Sequence, residues 1–215
     1  MSAQARGQAP GTPEPEPISR RLLLAGGGGL GLGLAVSACA GSPKPAAAAY
    51  AGEFRAIALA AALENQAVAF YRALLAPGRP GKLGASVPAL ISIARTCVRQ
   101  HTEHARAWNA VLRSARKPEI SGVPLSTHES VMSELTTART PDAIAAIACR
   151  LETQAAQTFA SGSAAMTSAQ AIAAAASIAP VEAMHAAILR FLLGEYPVPG
   201  SFAAHSVVSP HELTL

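Results

Sequence analysis

The stretch Pro180-Val181-Glu182-Ala183-Met184-His185-Ala186-Ala187-Ile188-Leu189-Arg190-Phe191-Leu192-Leu193-Gly194 sets one carboxylate and one imidazole three residues apart in an otherwise apolar run. Residues three and four apart are neighbours on a helix, so Glu182, His185, Leu189 and Leu192 share a face. Ser168 or Thr167 starts this helix and Gly194 stops it. Pro180 either kinks it or begins a separate helix that carries the motif. A carboxylate on a face of alanine and leucine is costly unless something compensates its charge. The reading of the rest of the chain therefore turns on what faces Glu182.

Three earlier segments repeat the pattern. From about Glu53 to Leu75, Ile57, Ala61, Glu64, Val68 and Tyr71 recur at helical steps, and Pro77-Gly78 and Pro80-Gly81 end the run. A second helix starts near Ser86, a suitable N-cap, with Pro88 close behind, and runs to about Arg116, before Pro118. Its inward face carries Ala94, Cys97, His101, His104 and Trp108. Thr140-Pro141-Asp142 combines a cap, a first-position proline and a first-turn acid. The third helix then reaches about Ala160, with Ala145, Cys149, Glu152, Ala156 and Phe159 on one face and Ile144, Ala148 and Leu151 beside it. Trp108 and Phe191 are expected in the core, and His128, His205 and His211 at the surface of irregular regions. The tail from Tyr196 to Leu215 is expected to pack over one end of the bundle.

The connections decide the topology. The first and second helices are joined by a short loop, as are the third and fourth, whereas residues 117–139, with a short helix expected around 126–135, separate the two pairs. A helix of about 25 residues is about 37 Å long, and roughly twenty extended residues span about 70 Å. The middle connection can therefore cross the whole bundle. The expected fold is all-α: a four-helix bundle of two antiparallel hairpins joined by a long crossover.

Composition agrees. The chain has 215 residues, 50% of them apolar and only 4% aromatic. Alanine dominates the apolar set, which favours helices and disfavours sheets. The net charge is +4, without a dense basic patch interleaved with aromatics, so no nucleic-acid partner is expected. None of the three cysteines lies in a CxxC pair, against zinc-ribbon and thioredoxin-like chemistry. Cys97 and Cys149 lie on helices that would be diagonal, about 9 Å apart between Cα atoms once helix radii are removed from the axis spacing. A disulfide needs less than about 7 Å, so two free, buried thiols are expected.

Glu64; His101 and His104; Glu152; and Glu182 with His185, one set per helix in this order, resemble the ferritin-like di-metal proteins. Those supply a single Glu from two helices and a Glu-x-x-His pair from each of the other two. The resemblance covers residues 53–202, including Pro197-Val198-Pro199 and Phe202 after the last helix. It implies metal ligation by Glu64, His101, His104, Glu152, Glu182 and His185. It also implies a supporting role for Tyr71, matching a tyrosine often found near the family's site, with Phe159 where a second would be. The second helix departs from the pattern: His101-Thr102-Glu103-His104 has an imidazole where a carboxylate is expected, and Glu103 faces out. Two divalent ions balance four carboxylates, whereas three leave one positive charge. The implied cofactor is iron or another transition metal in a possible di-metal site; an imidazole-rich version would hold one ion, or favour zinc or copper.

The N-terminal part reads as an address. Ser19-Arg20-Arg21-Leu22-Leu23-Leu24 before a glycine-diluted apolar stretch resembles a twin-arginine export signal. The usual Phe is Leu23 and the usual trailing Lys is missing, which leaves the general secretory route open as well. Val36-Ser37-Ala38-Cys39 resembles a lipobox, with Cys39 the lipidated residue. The expected division is a signal over residues 1–39, a tether over 40–52, the bundle over 53–202 and a tail over 203–215. The expected location is the cell envelope, lipid-anchored to the outer face of the cytoplasmic membrane or periplasmic, with the membrane as partner.

Two function classes remain at this level. One is a membrane-tethered metal-binding protein, with metal oxidation, peroxide disposal or metal holding as activities. The other is a metal-free envelope scaffold whose three Glu and three His satisfy one another as a buried network. Haem binding is disfavoured by the clustered carboxylates and by the lack of a CxxCH motif.

Overall fold

The computed structural model describes residues 49–77, 87–201 and 206–215. The expectations for Arg20, Arg21 and Cys39, for the Ser86 cap, and for His205 and Phe202 lie outside these residues. The described helices are α1 (Glu53–Leu74), α2 (Val87–Ser114), α3 (His128–Thr137), α4 (Pro141–Ser163) and α5 (Ala169–Leu192), followed by a 3₁₀ turn at Pro210–Glu212.

The local signals explain the boundaries. Thr140 is extended, its Oγ1 accepts from Ala143 N, and Pro141 opens α4, a cap worth about 1 kcal/mol. Ser168 caps α5 in the same way. Gly194 takes φ 75° after α5, and the Glu195 N–H donates to the Arg190 carbonyl at 2.9 Å. That is the left-handed helix end for which glycine is suited. The end of α2 is set differently from expectation. The helix stops at Ser114; Arg116 just beyond it adopts φ 56°, and Lys117 N donates to Leu112 O at 2.9 Å. Pro180 lies inside a continuous α5, which settles the two alternatives in favour of one helix.

α1 packs along α2 and α4 along α5; between these hairpins α1 meets α4 and α2 meets α5. α1 is covered more fully than a bundle helix usually is: every residue from Ile57 to Glu64 is buried. The bundle buries one side of it. The crossover and the tail bury the other, through Ile120, Leu125 and Leu213. Asn65 Nδ2 donates to the carbonyls of Ile120 and Gly122 at 3.1 and 2.8 Å. Asn109 both donates to and accepts from the Ile120 backbone, at 3.0 and 2.9 Å. The tail is tied down by an antiparallel bridge between Leu125 and Leu213. Here it lies against the crossover.

Two apolar clusters fill the bundle. One holds Ile57, Leu59, Trp108, Phe159 and Ile178; Trp108 and Phe159 approach at 5.5 Å between ring centroids. The other holds Phe70, Leu74, Leu90, Ile144 and Leu189. Each such side chain contributes about 1.5–3 kcal/mol on burial. The partition shows the helix directions: the early part of α1 shares a cluster with the late parts of α2 and α4, so α2 and α4 run parallel to each other and antiparallel to α1. Phe191 corrects the expectation of a core residue, being 69% exposed. It sits about 200° around the helix from Leu189, which faces in. Phe191 belongs instead to an outward apolar stripe with Met184 and Ile188.

Candidate metal centre

Between the two apolar clusters lies a polar layer. Glu64 from α1, His101 from α2, Glu152 from α4, and Glu182 and His185 from α5 are all buried, and the His104 side chain is 14% exposed. All six residues expected from the sequence therefore converge. Glu103 does not join them: it is exposed and pairs with Arg99 at 3.5 Å. His211 is exposed and His128 half-buried, away from the layer.

His101 stands at the centre. Its Nδ1 lies 2.7 Å from Glu64 Oε2 and 3.6 Å from Glu182 Oε1, and its Nε2 lies 3.1 Å from Glu152 Oε1. His104 Nδ1 lies 2.6 Å from Glu182 Oε1. His185 Nδ1 lies 3.1 Å from Glu182 Oε2 and 3.4 Å from Glu152 Oε2. The Tyr71 hydroxyl donates to Glu152 Oε1 at 2.5 Å, which gives the tyrosine a direct place beside the carboxylate. Phe159, at the position of a second tyrosine, packs on Trp108 and offers no such donor.

With no ion present, the electrostatics are those of imidazolium–carboxylate pairs. Burial pulls the histidines down, but the carboxylates around them win. Glu152 and Glu182, with the Cys97 thiol, hold His101 well above the ordinary imidazole range. Glu182 and Glu64 raise His104 to about 9. Cys97, Glu152 and Glu182 push His185 up to about 12. Burial would raise Glu152, yet the charge of His101 and the hydrogen bonds of His101 and His185 bring it well below the usual carboxylate range. Glu182 goes the other way, raised first by burial and then by the neighbouring Glu64 charge. Burial and the Glu152 charge raise the Tyr71 phenol.

One atom is left out of this network. Glu64 Oε1 is buried without a hydrogen-bond partner; His104 Nδ1 faces it from 3.7 Å, too far for a hydrogen bond. An unsatisfied buried carboxylate oxygen is expensive, and a cation among Glu64, His101, His104 and Glu182 would satisfy it. Ligand atoms of those four lie within 4.8 Å of one another, and so do those of a second group, Cys97, His101, Glu152 and His185. The residues present therefore fit a transition-metal centre, though one with three carboxylates in place of four.

Two participants were not read as functional in the sequence. Gln100 Oε1 lies 2.7 Å from His185 Nε2, where it fixes the orientation of the ring. Its place beside the inward-facing His101 was no signal, because glutamine is common on helix flanks. The sequence places Cys97 on the inward face of α2. Its spacing of four residues before His101 was the available signal. Cys97 and Cys149 are both free and buried, and the Cys149 thiol turns to the Ala186 carbonyl at 3.7 Å.

A sequence model of the ferritin-like domain matches residues 52–195. The chain belongs to the ferritin-like family. No curated protein and no solved structure matches it. Membership accounts for the all-α bundle.

Proposed function

We propose that this ferritin-like protein binds one or two transition-metal ions in its bundle core, held by Glu64, His101, His104, Glu152, Glu182 and His185, with oxidase or peroxide-handling activity. The observation that carries the reading is that Glu64 Oε1, buried without a hydrogen-bond partner, lies in a cluster of three buried carboxylates, two buried imidazoles and the half-buried His104. A bound transition metal supplies redox or Lewis-acid chemistry there. The protein's own part is to hold the ligands in a dry layer between two apolar clusters, with Tyr71 on Glu152 and Gln100 on His185 fixing two of them. Metal content by mass spectrometry of chain purified without chelator or histidine tag tests this. About two ions per chain are expected from a paired site, and Glu182→Ala and His185→Ala, each removing a ligand from one of the two groups, should each lower that number with the helical signal kept.

The metal-free scaffold reading draws on one specific observation, the mutual pairing of three histidines with three carboxylates. A folded chain that stays free of metal after reconstitution would establish it.

The location is part of the same proposal: export through Arg20 and Arg21, and anchoring to the envelope membrane through lipidated Cys39. The supports are the twin arginine and the small residues before Cys39. Replacing Arg20 and Arg21 by Lys is expected to trap the chain in the cytoplasm, read by fractionation. Unchanged export would assign it to the general secretory route.

A further inference from the structure

We infer that Cys97 is a metal ligand, the fourth anionic donor of the centre, and that with His101, Glu152 and His185 it forms a sulfur-containing position suited to zinc or copper. This rests on the metal-binding reading above and says what kind of centre it is.

The charge count motivates it. The Glu-x-x-His pattern on α2 is broken at His101, which leaves three carboxylates to balance two divalent ions. Cys97 lies four residues earlier, one turn along the same helix face, and is fully buried. A thiolate at Cys97 restores four negative donors. The thiol proton leaves to solvent as the metal–sulfur bond forms, so the step is a simple exchange of proton for metal.

Geometry carries it further. Ligand atoms of Cys97, His101, Glu152 and His185 lie within 4.8 Å of one another, and they come from three helices, α2, α4 and α5. His101 and His185 approach at 5.3 Å between ring centroids, with Glu152 between the two rings at 3.1 and 3.4 Å. One thiolate, two imidazoles and one carboxylate give four donors for a tetrahedral ion. Imidazole suits zinc, copper, iron and nickel alike, and it is the thiolate that tilts the choice towards zinc or copper(I). Cys149 supplies the internal control, being also buried but turned to the Ala186 carbonyl.

Cobalt(II) added to the metal-free full chain in detergent is the test. Thiolate ligation gives an intense near-ultraviolet charge-transfer band. We expect that band in the wild type, in Cys149→Ser and in Cys39→Ser, and its loss in Cys97→Ser, together with a fall in zinc affinity on the order of 100-fold or more, beyond that for loss of a supporting contact. X-ray absorption of the zinc-loaded wild type needs no variant and should show a zinc–sulfur shell at about 2.3 Å, amounting to one sulfur per chain. Cobalt bound without the band, and zinc without sulfur, would overturn the role of Cys97 and leave the metal-binding reading standing. A folded chain that binds neither ion would overturn both.

Discussion

Glu152→Ala is expected to lower the unfolding free energy of the metal-free protein by about 3–5 kcal/mol, the range for removing one partner of a buried ion pair. Glu152 is 1% exposed and serves three groups at once: the Tyr71 hydroxyl, His101 Nε2 and His185 Nδ1. Alanine removes the acceptor of all three and leaves a cavity in a layer that water does not readily reach. Two buried imidazoliums lose a counter-charge, and the phenol loses its acceptor. The loss is electrostatic more than steric, so Glu152→Gln should be milder: it can still accept from Tyr71 but offers no charge to the histidines. Tyr71→Phe should cost less again, near the 0.5–1.5 kcal/mol of about one hydrogen bond. Combined with Glu152→Ala, it should cost less than the sum, because the two act through the same bond. Urea unfolding followed by helical circular dichroism reads all of these. A loss below about 1 kcal/mol for Glu152→Ala, as for an ordinary surface substitution, would mean that the layer is wetter or looser than the geometry shows.

The same residues show how far sequence reading reaches. Glu182 and His185 were legible not from their three-residue spacing alone, but because Glu64, His101, His104 and Glu152 fall on the apolar faces of the other helices in the same order. The crossover was legible from arithmetic, since residues 115–140 separate α2 from α4. Thr140-Pro141-Asp142 was legible because capping chemistry is local. What lay beyond reach depended on the third dimension. Periodicity places Cys97 inside but does not say that His185, on another helix, brings a second imidazole to the same spot. Gln100 is half-buried at the flank of α2, and only the position of the His185 ring makes it a partner. Phe191 failed for a related reason: α5 is apolar nearly all round, so hydrophobicity alone did not say which side faces in. Its buried side is marked by Glu182 and His185.

The response to pH should reverse sign between the metal-free and metal-loaded protein. In the metal-free state His104 is raised from 6.5 to about 9 and His185 from 6.5 to about 12. A histidine raised on folding contributes stability that is complete below its unfolded pKa and lost as pH rises through its folded one. Between pH 6.5 and about 9 all three raised histidines, His101 included, lose stabilisation together, because each keeps its proton in the fold while the unfolded chain has released it; the His104 loss is complete at about 9, whereas that of His185 continues towards about 12. Glu182, raised by burial and by Glu64, pulls in the same direction, because its ionised form is disfavoured in the fold. Glu152 works at the other end: lowered by His101 and His185, it contributes above the ordinary carboxylate range and loses that contribution only as pH falls through its folded value. The metal-free protein should thus be most stable in mildly acidic solution and weaken towards pH 9. Metal binding needs neutral imidazoles and charged carboxylates, so protons compete with the ion and affinity climbs with pH. Since the ion stabilises only the folded state, its contribution grows as RT ln(1 + [L]/Kd), and the loaded protein should gain stability over the same interval. Thermal unfolding with zinc and with chelator, at pH 6.5 and pH 9, reads the reversal. Two parallel falls would mean that the ion does not bind the layer where His104 titrates; two flat lines would mean that the histidines are not held charged by the carboxylates.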